Sequence, residues 1–334
     1  MSSIKNQLET LATSMRKELK IDIVPGWEME EDVEKMATPS LQLTAKTGGM
    51  YRGRIHHFVG QEHAQKSTYV LQTCAMDNQP WFILDVEGSI TESYMDALGI
   101  DRDRIIYVPA YKPENKFEAF DIICKKFSSQ PIFGGCMIDS LNALVPKKVD
   151  DEGIETHNIG LFAKMLNKHI KSANGRYKKN NIAAFYLDQF RTDIGKMLGD
   201  NRMATGGKAM QYYSSMTLWL TRSKIQGEKW EESKLPKYQV NMSCKKDKLN
   251  PLWGKVSIPI DEHLGFDRVG DMIAVVNLTP HFTKTGNTYK VGETKLGVGK
   301  KQVQQYFEDN PEHFVEVQRK IANDLNNPII LEEE

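Results

Sequence analysis

GQEHAQKS, at residues 60–67, follows the predicted strand RIHHFV at residues 54–59 and leads into a predicted helix over residues 67–76. A strand, a loop that begins with glycine and ends in Lys-Ser, and a helix form the pattern of a P-loop. In such loops backbone N–H groups and the lysine bind phosphate oxygens. Gln65 stands where the pattern has its second glycine. The octamer alone therefore fits a chance match about as well as a phosphate site.

Two acidic residues decide between these readings. Glu87 and Asp139 each come directly after an apolar run, and the carboxyl ends of parallel strands meet at one edge of a sheet. There Asp139 and the Ser67 hydroxyl would bind Mg²⁺, and Lys66 would reach the β- and γ-phosphates. Glu87 would orient and deprotonate the attacking water. Each acid alone is usually a solvated loop residue, but the three elements in this order predict an ATP site with Mg²⁺.

Apolar strand-like runs alternate with amphipathic helices, which indicates an α/β fold with a mostly parallel central sheet. The predicted strands are 54–59, 81–86, 105–108, 132–138 and 182–187, and the predicted helices are 4–20, 67–76, 116–128 and 159–172. After residue 208, strand-like runs without long helices predict an antiparallel extension of the sheet. The predicted domains are an N-terminal helix with its linker (1–36), a P-loop ATPase core (37–265) and a small α+β C-terminal domain (266–334).

Composition narrows the class of protein. The 44 Lys and Arg residues balance 44 Asp and Glu residues, so the surface is not basic throughout, although a local basic strip remains open. No apolar run approaches the roughly 18 residues of a membrane span, and the N-terminus lacks a signal-peptide core, which predicts a cytoplasmic protein without a membrane partner. The four cysteines lack metal-like spacing and are expected as buried thiols.

Five segments in order resemble the RecA recombinases over about residues 40 to 320. They are GGMYRGRIHHFVG (48–60), FILDVEGSITESYMDALGID (82–101), MIDSLNALVPK (137–147), YLDQFRTDIGKMLGDNRMATGGKAM (186–210) and GVGKKQVQQYFEDNPE (297–312). Bacteriophage recombinases of the UvsX type are similar in lacking the second P-loop glycine. The resemblance implies a RecA-like core, ATP and Mg²⁺ as cofactors, and DNA as partner.

The resemblance also implies roles within the nucleotide site. Glu87 and Lys66 would be catalytic, Gln189 would sense the γ-phosphate, and Tyr94 would stack on adenine. Lys246 and Lys248 would reach the ATP of a neighbouring subunit, although a solvated basic turn is the alternative. The full predicted site comprises Gly60, Gln61, Glu62, His63, Ala64, Gln65, Lys66, Ser67, Thr68, Tyr94, Asp139, Lys246 and Lys248, with Ser67 and Asp139 as metal ligands.

DNA contacts are predicted on one helix and one long loop. Lys164, Asn167, Lys168 and Lys171 share a helix face, which by itself is usually only solvated. The glycine-rich loop at 191–207 is of a length that is functional or disordered in most domains, and the acidic segment 147–158 would be a first DNA loop. With the resemblance, the predicted DNA-binding residues are Lys164, Asn167, Lys171, Arg191, Ile194, Gly195, Gly206 and Gly207. Ser243 and Thr221 stand where the family has basic residues of a secondary DNA site, and Arg222 fits the pattern.

These patterns predict an ATP-dependent recombinase that forms helical filaments on single-stranded DNA and pairs that strand with a homologous duplex. Single-strand-binding and mediator proteins are expected as further partners. The N-terminal helix would dock on the next protomer through Leu8, Leu11 and Met15. Two alternatives stay open, a hexameric DNA helicase on the same fold and a catalytically decayed scaffold that binds single-stranded DNA.

Overall fold

The computed structural model describes residues 2–29, 33–112, 117–146, 159–192, 202–204, 207–225, 238–251, 253–261 and 265–326. The chain divides into two units, residues 1–34 and 35–334.

The first unit is built on helix α1, Ser2–Leu19. The segment after α1 is tied to it, because Arg16 pairs with Glu28 at 3.3 Å and the Lys5 ammonium lies 5.0 Å from the centre of the Trp27 ring. The large apolar side chains of α1 are exposed within this unit; they are Ile4, Leu8, Leu11, Met15 and Leu19. The unit therefore presents an apolar stripe, as the sequence indicated.

The second unit contains the remaining elements. In chain order these are β1 Lys35–Met36, α2 Leu41–Thr47, β2 Met50–Tyr51, β3 Ile55–Gly60, α3 Lys66–Met76, β4 Trp81–Asp85, α4 Glu92–Ala97, β5 Ile105–Val108, α5 Phe117–Ser128, β6 Gly135–Asp139, α6 Ile159–Lys179, β7 Ala183–Thr192, β8 Arg202–Ala204, α7 Gly207–Tyr213, β9 Met216–Lys224, β10 Tyr238–Asp247, β11 Lys255–Asp261, β12 Gly265–Phe266, α8 Arg268–Ile273, β13 Phe282–Thr285, β14 Thr288–Val291, β15 Thr294–Val298, α9 Gly299–Asp309 and α10 Pro311–Asn326. Two predicted elements were too short. The helix predicted to end at residue 172 continues to Lys179, and the strand predicted to end at 187 continues to Thr192.

The central sheet has the strand order β12-β11-β10-β9-β3-β7-β6-β4-β5 in the described residues, with β8 paired to β7. The strands from β9 to β5 in this order are parallel, so the predicted α/β class with a mostly parallel core is confirmed. The antiparallel extension begins only at β10. The prediction that β9 belongs to that extension was wrong, because α7 returns the chain so that β9 runs alongside β3.

Burial explains why the inner strands form. Every residue of β3, β4 and β6 is buried, which fits near-continuous apolar runs covered on both faces. Phe117 and Phe120 of α5 and Ile170 of α6 pack into one core cluster with the sheet. Among the described residues, all four cysteines are buried and free.

The C-terminal elements form a small module with a core of its own. Strands β13, β14 and β15 form an antiparallel sheet, and a two-residue turn at Gly286 and Asn287 joins the first two. This core also includes Leu41 of α2, which lies more than 200 residues earlier in the sequence than the other members of the cluster. The buried Asp271 carboxylate accepts hydrogen bonds from Ser40 and from the backbone of Leu41. The α+β character is as predicted, while the domain boundary at residue 265 stays a prediction.

Candidate nucleotide site and DNA-facing elements

The phosphate loop connects β3 to α3. Two residues, His63 and Gln65, adopt left-handed backbone angles with φ of 56° and 57°. This conformation is unfavourable for residues other than glycine, because their Cβ atom comes too close to the following carbonyl oxygen. Gly60 is required for another reason, since a Cβ there would lie 2.8 Å from the Leu220 carbonyl oxygen and 3.2 Å from Lys66 Cδ. The loop is therefore packed tightly at its first position and turned by its later ones.

The Gln65 side chain is directed along α3. Its Oε1 accepts a hydrogen bond from the Thr68 hydroxyl, which lies 2.5 Å from the Tyr94 hydroxyl. Burial raises the pKa of the Tyr94 phenol. The residue that replaces the P-loop glycine is thus linked to the residue predicted to stack on adenine.

Lys66 lies at the first turn of α3 and is 8% exposed. Its ammonium donates to the carbonyl oxygens of Gln61 at 2.9 Å and Gly60 at 3.4 Å. Burial lowers the pKa of Lys66, against the effect of the nearby Asp139 and Glu87 carboxylates. The cation is therefore held inside the loop, where phosphate oxygens would compete for it.

Ser67 and Asp139 meet at the loop. The Ser67 hydroxyl donates a hydrogen bond to Asp139 Oδ2. Ser67 is in the first turn of α3, and Asp139 is the last residue of β6. Burial raises the pKa of Asp139 to about 7, with the Glu87 charge adding and Ser67 and Lys66 opposing. Hydroxyl and carboxylate oxygens are ligands that suit Mg²⁺, which usually keeps waters and phosphate oxygens as its other ligands. The described residues contain no group of three or more His, Cys, Asp or Glu arranged to hold a metal.

Glu87 lies at the same edge of the sheet. Its backbone N–H donates to the Asp139 carbonyl oxygen at 3.2 Å. Its carboxylate is exposed, and Oε1 accepts from the Ser140 hydroxyl and from Gln189 Nε2 at 3.2 Å. The structure therefore brings together Lys66, Ser67, Glu87, Asp139 and Gln189, which the sequence places up to 123 residues apart.

Sequence reasoning missed two supports of this arrangement. Ser140 binds the Glu87 carboxylate, and its position directly after Asp139 was an available signal. Asp85, the one charged residue within its predicted strand, is buried and accepts from the backbone N–H groups of Gly88 at 2.7 Å and Ile90 at 3.0 Å. These bonds fix the turn that carries Glu87.

Strand β7 connects this site to the predicted second DNA loop. After Gln189 it continues to Thr192 and pairs with β8 through Thr192 and Arg202. Arg191 is exposed, and Gly207 opens α7 with a φ of 57°. Ile194, Gly195 and Gly206 lie outside the described residues, as does the predicted first loop at 147–158.

The predicted phosphate-contacting side chains on α6, Lys164, Asn167 and Lys171, share an exposed face with Lys168. Lys164, Asn167, Lys168 and Lys171 are exposed, while Leu166 and Ile170 of the same helix are buried. The opposite face is thus packed in the core and this one is free for a ligand.

A cation–aromatic cluster, not foreseen from the sequence, lies at the start of β8. The Arg202 guanidinium lies 5.0 Å from the centre of the Phe190 ring and 5.4 Å from that of Trp219. The Lys245 ammonium lies 4.7 Å from the Trp219 ring. These contacts fasten the β7–β8 ribbon to β9 and β10.

Lys246 and Lys248 lie level with the start of β3, whereas the P-loop of their own chain follows the end of β3. Asp247 pairs with Met216, which pairs with His56 at the start of β3. Gly60 is four residues further along β3, or about 13 Å. Both ammonium groups donate to the carbonyl oxygen of Tyr212, at 3.2 and 2.7 Å. Burial and the Lys248 charge lower the pKa of Lys246 to about 8.

Comparison with known proteins agrees with this architecture. The RecA N-terminal domain family matches residues 4–266, and the RecA C-terminal domain family matches residues 276–326. Proteins named Protein RecA are similar along most of the chain. That of Acholeplasma laidlawii is 29% identical over 84% of this chain and 84% of its own length. Those of Aquifex aeolicus and Thermus aquaticus are 28% and 25% identical, over 96% and 98% of this chain and 93% and 96% of their own lengths.

None of the helices in the described ranges has the length and apolar character needed to cross a membrane.

The two family matches together cover almost the entire chain in the order expected from its fold. The chain therefore belongs to the RecA family of DNA-dependent ATPases and strand-exchange proteins.

Proposed function

We propose that this protein forms a helical filament on single-stranded DNA, hydrolyses ATP between protomers and pairs the bound strand with a homologous duplex. The observation that carries this proposal is the 3.2 Å hydrogen bond from Gln189 Nε2 to the Glu87 carboxylate. It joins the group suited to activate water with the strand that continues into the predicted DNA loop. A pure scaffold has no need of this connection.

In this proposal the triphosphate lies over the N-terminus of α3, where backbone N–H groups and the helix dipole favour anions. Lys66 exchanges its contacts with the Gln61 and Gly60 carbonyls for phosphate oxygens. Ser67 and Asp139 would hold Mg²⁺, which neutralises charge on the β- and γ-phosphates. Tyr94 stacks on adenine. These roles are supported by the hydrogen bonds that join the residues.

Glu87 acts as the general base. Its carboxylate is exposed, so a water can reach it, while Ser140 and Gln189 hold its orientation. The carboxylate takes a proton from the water as the water attacks the γ-phosphorus, and the bond from that phosphorus to the β–γ bridging oxygen breaks so that ADP leaves. Gln189 then reports the state of that phosphate to β7. Relaxation of this contact after hydrolysis would loosen the grip on DNA.

Lys246 and Lys248 complete the site of a neighbouring protomer. Within one chain they lie at one end of the sheet's strands and the P-loop lies at the other end. A head-to-tail arrangement brings unlike edges together, and such contacts build open helices when the rotation does not close. The apolar stripe of α1 would dock on the next protomer in the same arrangement.

DNA is held by its backbone. The exposed face of α6 supplies Lys164, Asn167 and Lys171, and the segment from Arg191 to Gly207 supplies backbone N–H groups, with Ile194 as an apolar wedge. Such contacts grip a strand without reading its sequence. Single-strand-binding and mediator proteins remain proposed partners. A bacteriophage UvsX type is also proposed, supported by Gln65 in the P-loop.

The test is ATP turnover with and without saturating single-stranded DNA, for the wild type and for Glu87→Gln. The substitution keeps an oxygen that accepts from Ser140 and Gln189, but removes the base. We expect DNA-stimulated turnover in the wild type and a decrease of about 10²–10⁴-fold in the variant, with nucleotide binding retained. Glu118→Gln, at an exposed residue of α5, is the control. A wild type without turnover would favour the scaffold.

Strand exchange and electron microscopy separate the remaining alternative. The proposal requires joint molecules from homologous DNA and extended filaments that form only with ATP and single-stranded DNA. Unwinding of a forked duplex by six-membered rings would identify a helicase instead.

A further inference from the structure

A cavity of about 420 Å³ lies between the second half of α3 and the C-terminal helix α10. One wall is the face of α3 that carries Gln72 and Met76, and the opposite wall is the face of α10 that carries Gln318 and Arg319. Its volume is within the range of small-molecule sites. No residue of the predicted nucleotide site lines it, so this inter-helix cavity is separate from the P-loop.

The lining is cationic. Lys35, Arg268 and Arg319 line the cavity, and no acidic side chain lines it within the described chain. Lys35 and Arg319 are exposed at its mouth. Arg268 lies deeper, with its guanidinium 5.0 Å from the centre of the Phe314 ring, and burial lowers its pKa to about 10. Positive charge concentrated in a recess attracts anions.

Two buried donors in the cavity wall lack an acceptor among the described residues. Gln318 is 2% exposed, and its Nε2 has no hydrogen-bond partner there, because Arg268 occupies only its Oε1. Arg268 Nε is also buried and without a partner in this part of the chain. Donors left unpaired in a protein interior are costly. Both atoms are covered in this structure, so a ligand rich in acceptor oxygens would satisfy them once the two side chains turn toward the cavity that they line.

An adjoining cavity of about 470 Å³ shares Arg319 and contains two acids, Asp77 and Asp101. Both carboxylates are already paired, Asp77 with Arg52 at 2.7 Å and Asp101 with Arg104 at 2.8 Å. They are therefore neutralised, and the charge that faces a ligand is set by Arg319 and its cationic neighbours.

We propose that the inter-helix cavity binds a small phosphate-bearing molecule. Phosphate oxygens match the forked geometry of arginine better than that of any other cationic side chain. Arg319 would meet the ligand at the mouth, and Arg268 and Gln318 would donate to it inside. Because α3 begins at the P-loop and α10 belongs to the C-terminal module, the ligand would fasten that module to the ATPase core.

The experiment is a titration with pyrophosphate, followed by thermal unfolding at matched ionic strength. The P-loop also binds phosphates, so the titration uses full-length protein with Lys66→Ala. We expect a saturable rise of about 2 °C in the unfolding midpoint. Arg319→Ala in that background should weaken the apparent affinity about tenfold or more. Lys320→Ala, the exposed neighbour that does not line the cavity, should leave it unchanged.

Two results would overturn the proposal. One is the absence of any pyrophosphate effect once Lys66 is replaced. The other is equal weakening by Arg319→Ala and Lys320→Ala, which would indicate unspecific screening. Neither result bears on ATP hydrolysis, which is assayed with intact Lys66.

Discussion

Replacing Gln65 by glycine and by alanine tests the geometry of the P-loop. Gln65 has a left-handed backbone with φ of 57° and ψ of 32°, and its side chain accepts from Thr68. Alanine removes a hydrogen bond of about 1 kcal/mol and keeps the strained backbone. Glycine loses the same bond but relieves about 1 kcal/mol of strain, net of its greater freedom in the unfolded chain. The glycine variant should therefore be close to wild type, and the alanine variant about 1 kcal/mol less stable.

Thermal unfolding without nucleotide measures this difference, which corresponds to about 2 °C in the midpoint. An alanine variant as stable as the glycine variant would refute the left-handed geometry. ADP binding tests the side chain. Because Gln65 is directed toward Thr68 and Tyr94, the glycine variant should bind ADP within about threefold of wild type. Binding more than about tenfold tighter would show that Gln65 obstructs the phosphates.

Three further experiments test other parts of the molecule. Lys171→Ala should lower the slope of log affinity for single-stranded DNA against log salt by about 0.7, whereas Lys126→Ala, exposed on α5, should leave it unchanged; equal slopes for both would exclude a phosphate contact. Mixing inactive Glu87→Gln with inactive Lys248→Ala should restore about a quarter of turnover if sites form between protomers, and no recovery would place the lysine elsewhere. Burial raises the pKa of Asp271 to about 6, above its unfolded value of about 3.9, so the folded state holds that proton more tightly and stability decreases as pH rises from about 4 to about 6. Relative to Asp271→Asn the decrease should be on the order of 3 kcal/mol, and parallel pH profiles would contradict it.

Much of the fold was readable from sequence because the parallel core is encoded locally. Apolar runs such as residues 105–108 ended where proline or acidic residues follow, and the observed strand has the same limits. The orientation of β9 was not readable. Strands β9 and β10 have similar patterns, and only the position of α7 decides that β9 runs parallel to β3.

The site was readable to the extent that its residues follow strand ends. Glu87 and Asp139 could be placed beside Ser67 because β4 and β6 are neighbours that end together. The position of Ser140 after Asp139 was a signal, but its partner Glu87 is reached only by a hydrogen bond between two strand ends. Asp85 could not be assigned, because its role depends on the turn that brings the N–H groups of Gly88 and Ile90 to its carboxylate. The cluster of Arg202 with Trp219 could not be predicted from the sequence, because its members come from separate strands.

The positions of Lys246 and Lys248 bear on how a second chain would complete the proposed nucleotide site. Both are held by the carbonyl of Tyr212, at the C-terminal end of the helix that follows the predicted DNA loop. In the proposed mechanism, a change that DNA imposes on that loop would move α7 and with it the Tyr212 carbonyl that accepts from both ammonium groups. The P-loop of the same chain is about 13 Å away along β3 alone, so in the proposed filament the released lysines would act on the nucleotide of a neighbouring protomer. This proposal couples DNA binding and hydrolysis through assembly, and it predicts that an isolated protomer hydrolyses ATP slowly even with DNA bound.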